Sequence, residues 1–248
     1  MSFTSASVLE LLVAGVRALN PAQLALASLT GKREGLFRDA LMSACAKSMP
    51  HHLARAEWRI PPAAVARWKK TRFAGDRAQG IVDFVLLSND DLLTDVPTLA
   101  VEFKLWYWFD ALNPKKYVKS GRSNHHLISN SFLADASKLQ AVSPAAPDGR
   151  LVITVVPTFH TDEIRATGEK KPRQQLAALG FPYSGLGLVM PNSKYPTSHI
   201  MRSEALKRIA NYFERQGSPT ISGGGLVGEF GGVAVTTDFV VSAVPPLT

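Results

Sequence analysis

Three ionisable residues sit inside two otherwise apolar runs. Residues 80–87 read GIVDFVLL and residues 98–106 read TLAVEFKLW, so Asp83, Glu102 and Lys104 fall where side chains are expected to be buried. Burying an isolated charge costs on the order of several kcal/mol, so it calls for a partner, a metal or a shifted pKa. Alternate residues of a strand share a face, which points Glu102 and Lys104 the same way, roughly 7 Å apart. Val101, Phe103 and Leu105 then point into the core. If the two runs form an antiparallel hairpin with Leu87 opposite Thr98, Asp83 stands opposite Glu102, with Cβ atoms about 5 Å apart. A one-residue slip would put the two carboxylates on opposite faces. Facing carboxylates repel or raise one pKa, and a divalent cation between them removes the conflict. Oxygen donors suit Mg²⁺ or Mn²⁺. Such a metal acidifies a bound water and holds a phosphate oxygen. The Lys104 ammonium can orient or help deprotonate that water, or stabilise charge building on the phosphate. This set is sufficient to hydrolyse a phosphodiester.

The elements that must position these residues follow from periodicity. Helices are expected over residues 5–19, capped by Ser5 or Ser7, and over 21–29, begun at Pro21. Leu36, Phe37, Ala40, Leu41 and Ala44 recur at helical spacing within 33–48. Residues 53–60 (LARAEWRI) read as a strand stopped by Pro61-Pro62, followed by the two charged strands. An amphipathic helix ends at residue 142, and LVITVVPTF (151–159) is an interior strand. Residues 199–216 read as a helix ending at Gly217. The glycines of ISGGGLVGEFGG mark a flexible hairpin before a last alternating strand. The expected fold is a single α/β domain over 1–248, with a mixed sheet flanked by helices.

Asp83 followed by Glu102-Phe103-Lys104 resembles the PD-(D/E)XK nuclease superfamily, whose pattern is an aspartate on one strand and Glu-x-Lys on the next. Val82 replaces the proline. The order helix, three strands, helix, strand from residue 33 to 159 is similar to the restriction-endonuclease-like αβββαβ core. Residues 1–30 would be an N-terminal helical extension, and 160–248 a C-terminal helix and strand elaboration. The resemblance implies a Mg²⁺-dependent DNA endonuclease of restriction, defence or repair type, with Mn²⁺ able to substitute. It implies that Asp83 and Glu102 hold the metal together with Glu34 on the first core helix and the Phe103 carbonyl, and that Lys104 is catalytic. Glu57 competes with Glu34 for the third acidic place. Asp135 and Lys138 resemble a helix found in several members, but an i,i+3 surface salt bridge accounts for them.

Composition bounds the partners. The net charge is +8 with pI ≈ 9.7, which raises the expectation of a polyanionic partner. Arg67, Lys69, Lys70 and Arg72, and then Lys115, Lys116, Lys119 and Arg122, lie among aromatic residues, a mixture suited to nucleic acid, DNA first. Oligomeric state stays open, a homodimer included. The single cysteine, Cys45, excludes an intramolecular disulfide and fits a reducing compartment. With no signal or membrane segment apparent, a cytoplasmic location and no membrane partner are expected. The pairs His51-His52 and His125-His126 point apart and make poor chelates. His160 reads as a loop or cap residue. No phosphate-binding glycine loop is present, and Ser184 lacks a nucleophile elbow. Two other classes compete: an inactive nucleic-acid-binding module on the same fold, and a partner protein with a buried ion-pair network.

Overall fold

The computed structural model describes residues 3–30, 34–71, 80–88, 96–105, 123–142, 149–159, 198–230 and 233–245. Helices α1 (Ser5–Arg17), α2 (Pro21–Thr30) and α3 (Glu34–Ser48) come first. Strand β1 (His52–Arg59), helix α4 (Pro62–Lys69), strands β2 (Ile81–Ser88) and β3 (Leu99–Leu105), helix α5 (Ser123–Val142) and strand β4 (Arg150–Phe159) follow. Helix α6 (Ser198–Arg215) and strands β5 (Thr220–Phe230) and β6 (Val233–Ala243) complete the set. Among the described residues no helix is long and apolar enough to cross a membrane.

All six strands form one sheet in the order β1-β2-β3-β4-β6-β5. Only β3 and β4 run parallel, and α5 makes the crossover between them. The sheet is therefore mixed and has a hydrophobic layer on each face. On one face, Val8 and Leu12 of α1, Leu24 of α2, and Phe37 and Leu41 of α3 pack against Phe84, Val101, Phe103, Ile153 and Phe239. On the other, Trp68 of α4, Phe132 and Leu139 of α5, and Phe213 of α6 cover Val85, Ala100, Val152 and Val240. The alternation of β3 is as expected: Val101 and Phe103 enter the first layer, whereas Ala100 enters the second.

Local chemistry explains several departures from expectation. The N-cap of α1 is Thr4 rather than Ser5 or Ser7. Its hydroxyl accepts the Ser7 N–H at 3.2 Å, and the Ser7 hydroxyl accepts the Thr4 N–H at 3.0 Å, a reciprocal capping box. Pro61-Pro62 does end β1, but it also opens α4, because a proline in the first turn lacks only an N–H that the helix does not need. The glycine-rich stretch pairs antiparallel with the last strand, the hairpin expected, but its first glycines lie within a strand rather than a turn. Residues 220–230 form an edge strand, paired to β6 throughout except for a bulge between Gly223 and Leu226. Gly224 and Gly225 take φ values of 125° and 63° there, and the Asp238 carboxylate accepts the Gly225 N–H at 2.8 Å. These glycines make a bulge that side chains would obstruct. The last strand, β6, pairs directly with the central strand β4.

Candidate active site

The β2–β3 ladder pairs Phe84 with Val101, Val85 with Ala100 and Leu86 with Leu99. Continued by one residue, this register sets Asp83 against Glu102. At that point the backbone ladder gives way to a side chain: Asp83 Oδ2 accepts the Phe103 N–H at 2.8 Å. The preceding part of the sheet is distorted at the same level. On β1 the pairing to β2 skips from Ala56–Phe84 to Trp58–Val82. Between them lies Glu57, a non-glycine residue with φ of 49°, a conformation that carries strain. The faces exchange across this point. Val82 packs with Trp58 in the second layer while Phe84 packs in the first, which strict alternation along β2 does not allow. Asp83 thus stands at a kink in the sheet, not within a regular strand.

The first turn of α3 brings Glu34 to the same place, where its Oε1 accepts the Leu105 N–H at 2.7 Å. Glu57, the competing residue, turns away and pairs with Arg38 at 3.0 Å, with its side chain 69% exposed. The structure therefore groups Glu34 with Asp83, Glu102 and Lys104 and leaves Glu57 outside.

From the other side comes α5. Asp135 Oδ2 lies 2.8 Å from Lys104 Nζ, and Asp135 Oδ1 lies 3.7 Å from Lys138 Nζ. The Lys138 ammonium is 2.5 Å from Glu102 Oε1 and donates to the Ile81 carbonyl at 2.7 Å. The reading of Asp135 and Lys138 as a surface salt bridge is overturned: both are buried, and each faces a strand residue of the cluster. A signal for this lay in the sequence. Phe132, Ala136, Leu139 and Val142 mark the buried stripe of α5, and Asp135 falls on it at helical spacing. Thr154 is a further residue that sequence reasoning missed. It is paired with Lys104 across the parallel β3–β4 ladder, and its buried hydroxyl finds no protein partner among the described residues.

The electrostatics decide the roles open to these groups. Burial pushes the Glu34 carboxyl above its ordinary range, against the pull of the Leu105 N–H and of Lys104. Burial also raises Glu102, reinforced by Asp135 and Asp83 and opposed by Lys138. Burial works against the charge of Lys104, but Asp135, Glu102 and Glu34 outweigh it and hold the ammonium above lysine's ordinary range. Lys104 is consequently a persistent cation in this arrangement. It can stabilise negative charge or hold a water, but it cannot take a proton from one at neutral pH.

Four carboxylates against two ammoniums leave the cluster with a formal charge of −2. A divalent cation would balance it, and the oxygen-rich donor set suits Mg²⁺ or Mn²⁺. Yet among the described residues no three acidic, histidine or cysteine side chains stand in a group able to hold a metal ion. Each strand carboxylate has already committed one oxygen to a protein donor: Asp83 to Phe103, and Glu102 to Lys138.

The basic residues divide. Arg67 donates to the Ala141 carbonyl at 2.7 Å and ties α4 to α5. Lys69 and Lys70, at the end of α4, are exposed. Trp68 lies beneath them: its indole N–H donates to Ser137 at 3.1 Å, and its ring is 5.9 Å from Lys138 Nζ. Arg72, Lys115, Lys116, Lys119, Arg122 and His160 lie outside the described residues. No family model, curated protein or solved structure matches this chain.

Proposed function

We propose that this chain is a Mg²⁺-dependent nuclease of the PD-(D/E)XK kind, acting on DNA. One observation carries the reading. Asp83 and the Glu102-Phe103-Lys104 segment, 19 residues apart between their acids, adjoin at a kinked strand end through the bond from the Phe103 N–H to Asp83. The element order α3, β1, β2, β3, α5, β4, with α4 inserted, supports it as the αβββαβ core. In this reading Glu34, Asp83 and Glu102, with the Phe103 carbonyl, would hold the metal, and their carboxylates would first have to draw together, since among the described residues they do not stand in a group able to hold one. Bound Mg²⁺ would supply an acidified water and a counter-charge for a phosphate oxygen.

The chain's own groups have distinct tasks. Lys104, fixed as a cation by Asp135, faces the scissile phosphate and stabilises the charge that develops there. Asp135 orients Lys104. Lys69 and Lys70 offer sequence-independent contacts to the phosphate backbone. The test is a plasmid-nicking assay with Mg²⁺, Mn²⁺ or chelator, using wild type, Glu102→Gln and Lys104→Met. Metal-dependent nicking by wild type alone supports the proposal. A folded wild type that cuts neither plasmid, single-stranded DNA nor RNA with either metal sinks it.

A second reading, an inactive binding module on the same fold, draws on the commitment of the carboxylates to protein donors. It expects nucleic-acid binding that weakens steeply with salt and is indifferent to metal.

A further inference from the structure

Where β1 ends and β2 begins, the surface folds into a cleft of about 440 Å³ lined by Arg59, Ile60, Val65, Gly80 and Ile81. Small-ligand sites span roughly 300–1,000 Å³, so the cleft is of that size. Its floor is apolar: Ile60 is buried, and Val65 and Ile81 are half-buried. A Cβ on Gly80 would stand 2.8 Å from Val65 and 2.9 Å from Ile60, so only a residue without a side chain lets β2 start this close to α4. Among the described residues Arg59 is the one charged group lining the cleft, and it is exposed. It has no partner among them, because the nearest acid along β1, Glu57, is paired with Arg38. Lys69, also exposed, follows Val65 by one turn on the same side of α4. Ile81 lies two residues before Asp83, and its carbonyl accepts from Lys138, so the cleft adjoins the charged cluster.

We propose that this cleft takes an unpaired nucleotide of a single DNA strand, with the base against the apolar floor, its phosphate on Arg59, and Lys69 carrying the backbone onward. An apolar floor accepts the face of a base, which a duplex hides in its stack and a single strand leaves open. A guanidinium with no protein partner can grip a phosphate through two parallel N–H bonds. The net charge of +8 draws a polyanion, and among the described residues no acid lines the cleft to repel it. A duplex could set its phosphates on Arg59 and Lys69 but would leave the floor empty. This inference deepens the nuclease reading by naming a single-stranded substrate. It rests on the nucleic-acid partner of that reading and not on its metal.

The experiment is fluorescence anisotropy of a labelled oligo(dT), and of a duplex of the same length, in the presence of chelator so that nothing is cut. The proteins are wild type, Arg59→Gln, Val65→Asp and Arg55→Gln, each checked for folding by its melting temperature. Arg55 is exposed on the same strand and does not line the cleft, so Arg55→Gln removes an equal charge without touching the floor. Arg59 is exposed, so Arg59→Gln serves even if Val65→Asp does not fold. Wild type should hold oligo(dT) about tenfold more tightly than the duplex, as one base stacked on the floor would provide. Arg59→Gln and Val65→Asp should each weaken oligo(dT) binding about tenfold, and Arg55→Gln no more than about twofold. Duplex binding as tight as oligo(dT) binding, or equal losses from Arg55→Gln and Arg59→Gln, overturns the inference and leaves the nuclease reading to the plasmid assay. Competition by free dTMP as strong as by unlabelled oligo(dT) overturns the strand as the occupant. No binding of either DNA by folded wild type overturns both the inference and the reading of DNA as substrate.

Discussion

Removing the carboxylate of Asp83 has two separable consequences, and two substitutions tell them apart. Asp83→Ala deletes both the negative charge and the acceptor of the Phe103 N–H, a 2.8 Å bond at a fully buried residue. Hydrogen bonds to charged groups contribute about 1.5–3 kcal/mol, and an orphaned buried donor loses its desolvation energy. Against this, Asp83 repels Glu102 and Glu34, so its loss relieves some strain. The net destabilisation expected is ~1–2 kcal/mol. With a urea m-value of about 3 kcal/mol/M, the unfolding midpoint falls by roughly 0.3–0.7 M. Asp83→Asn keeps an oxygen acceptor and drops only the charge, so its midpoint should stay close to wild type. Both variants should lose metal binding and plasmid nicking. The decisive comparison is the asparagine variant in urea unfolding beside the nicking assay. An Asp83→Asn protein that is as destabilised as Asp83→Ala would refute the hydrogen-bond account of the kink. One that nicks plasmid at the wild-type rate would refute the role of Asp83 as a metal ligand.

Other outcomes follow from single contacts. A Cβ on Gly15 of α1 would collide with the Ala40 carbonyl of α3, so Gly15→Ala should destabilise by ~1–3 kcal/mol in spite of alanine's better helix propensity; a stabilised variant in thermal melting would show that the helices do not meet there. Glu57 has φ of 49°, so Glu57→Gly should raise stability by up to ~1 kcal/mol, since the Glu57 side chain is largely exposed and the mostly buried Arg38 keeps its pair with Asp39, and Glu57→Val should lower it. Equal effects of these two substitutions on the unfolding midpoint would remove the strain. Burial pushes the Cys45 thiol up to about 12, so at pH 8 it stays protonated and should resist a disulfide exchange reagent until urea unfolds the chain; prompt labelling of the native protein would contradict its burial.

Much of the scaffold could be read from local pattern. The apolar alternation of β2 and β3 located both strands, and the loop ends Leu87 and Thr98 set a register that the Phe84–Val101 pair reproduces. Helical spacing marked Phe37, Leu41 and Ala44 as the buried face of α3. These features depend on residues close in sequence, or on a hairpin whose strands are neighbours, so periodicity suffices.

What the sequence left open depends on contacts between distant segments. The glycines of 223–225 favour a turn locally, and only pairing with β6 and the acceptor on Asp238 makes them a bulged strand. Nothing local distinguishes Glu34 from Glu57. The packing of α3 against the sheet sets them apart, bringing Glu34 to the Leu105 N–H while Glu57 pairs with Arg38. The i,i+3 spacing of Asp135 and Lys138 describes a solvated pair equally well. It is the parallel crossover from β3 to β4 that lays α5 over the strand carboxylates, and only there does the low-dielectric interior turn a helix-surface pattern into the counter-charge of the site.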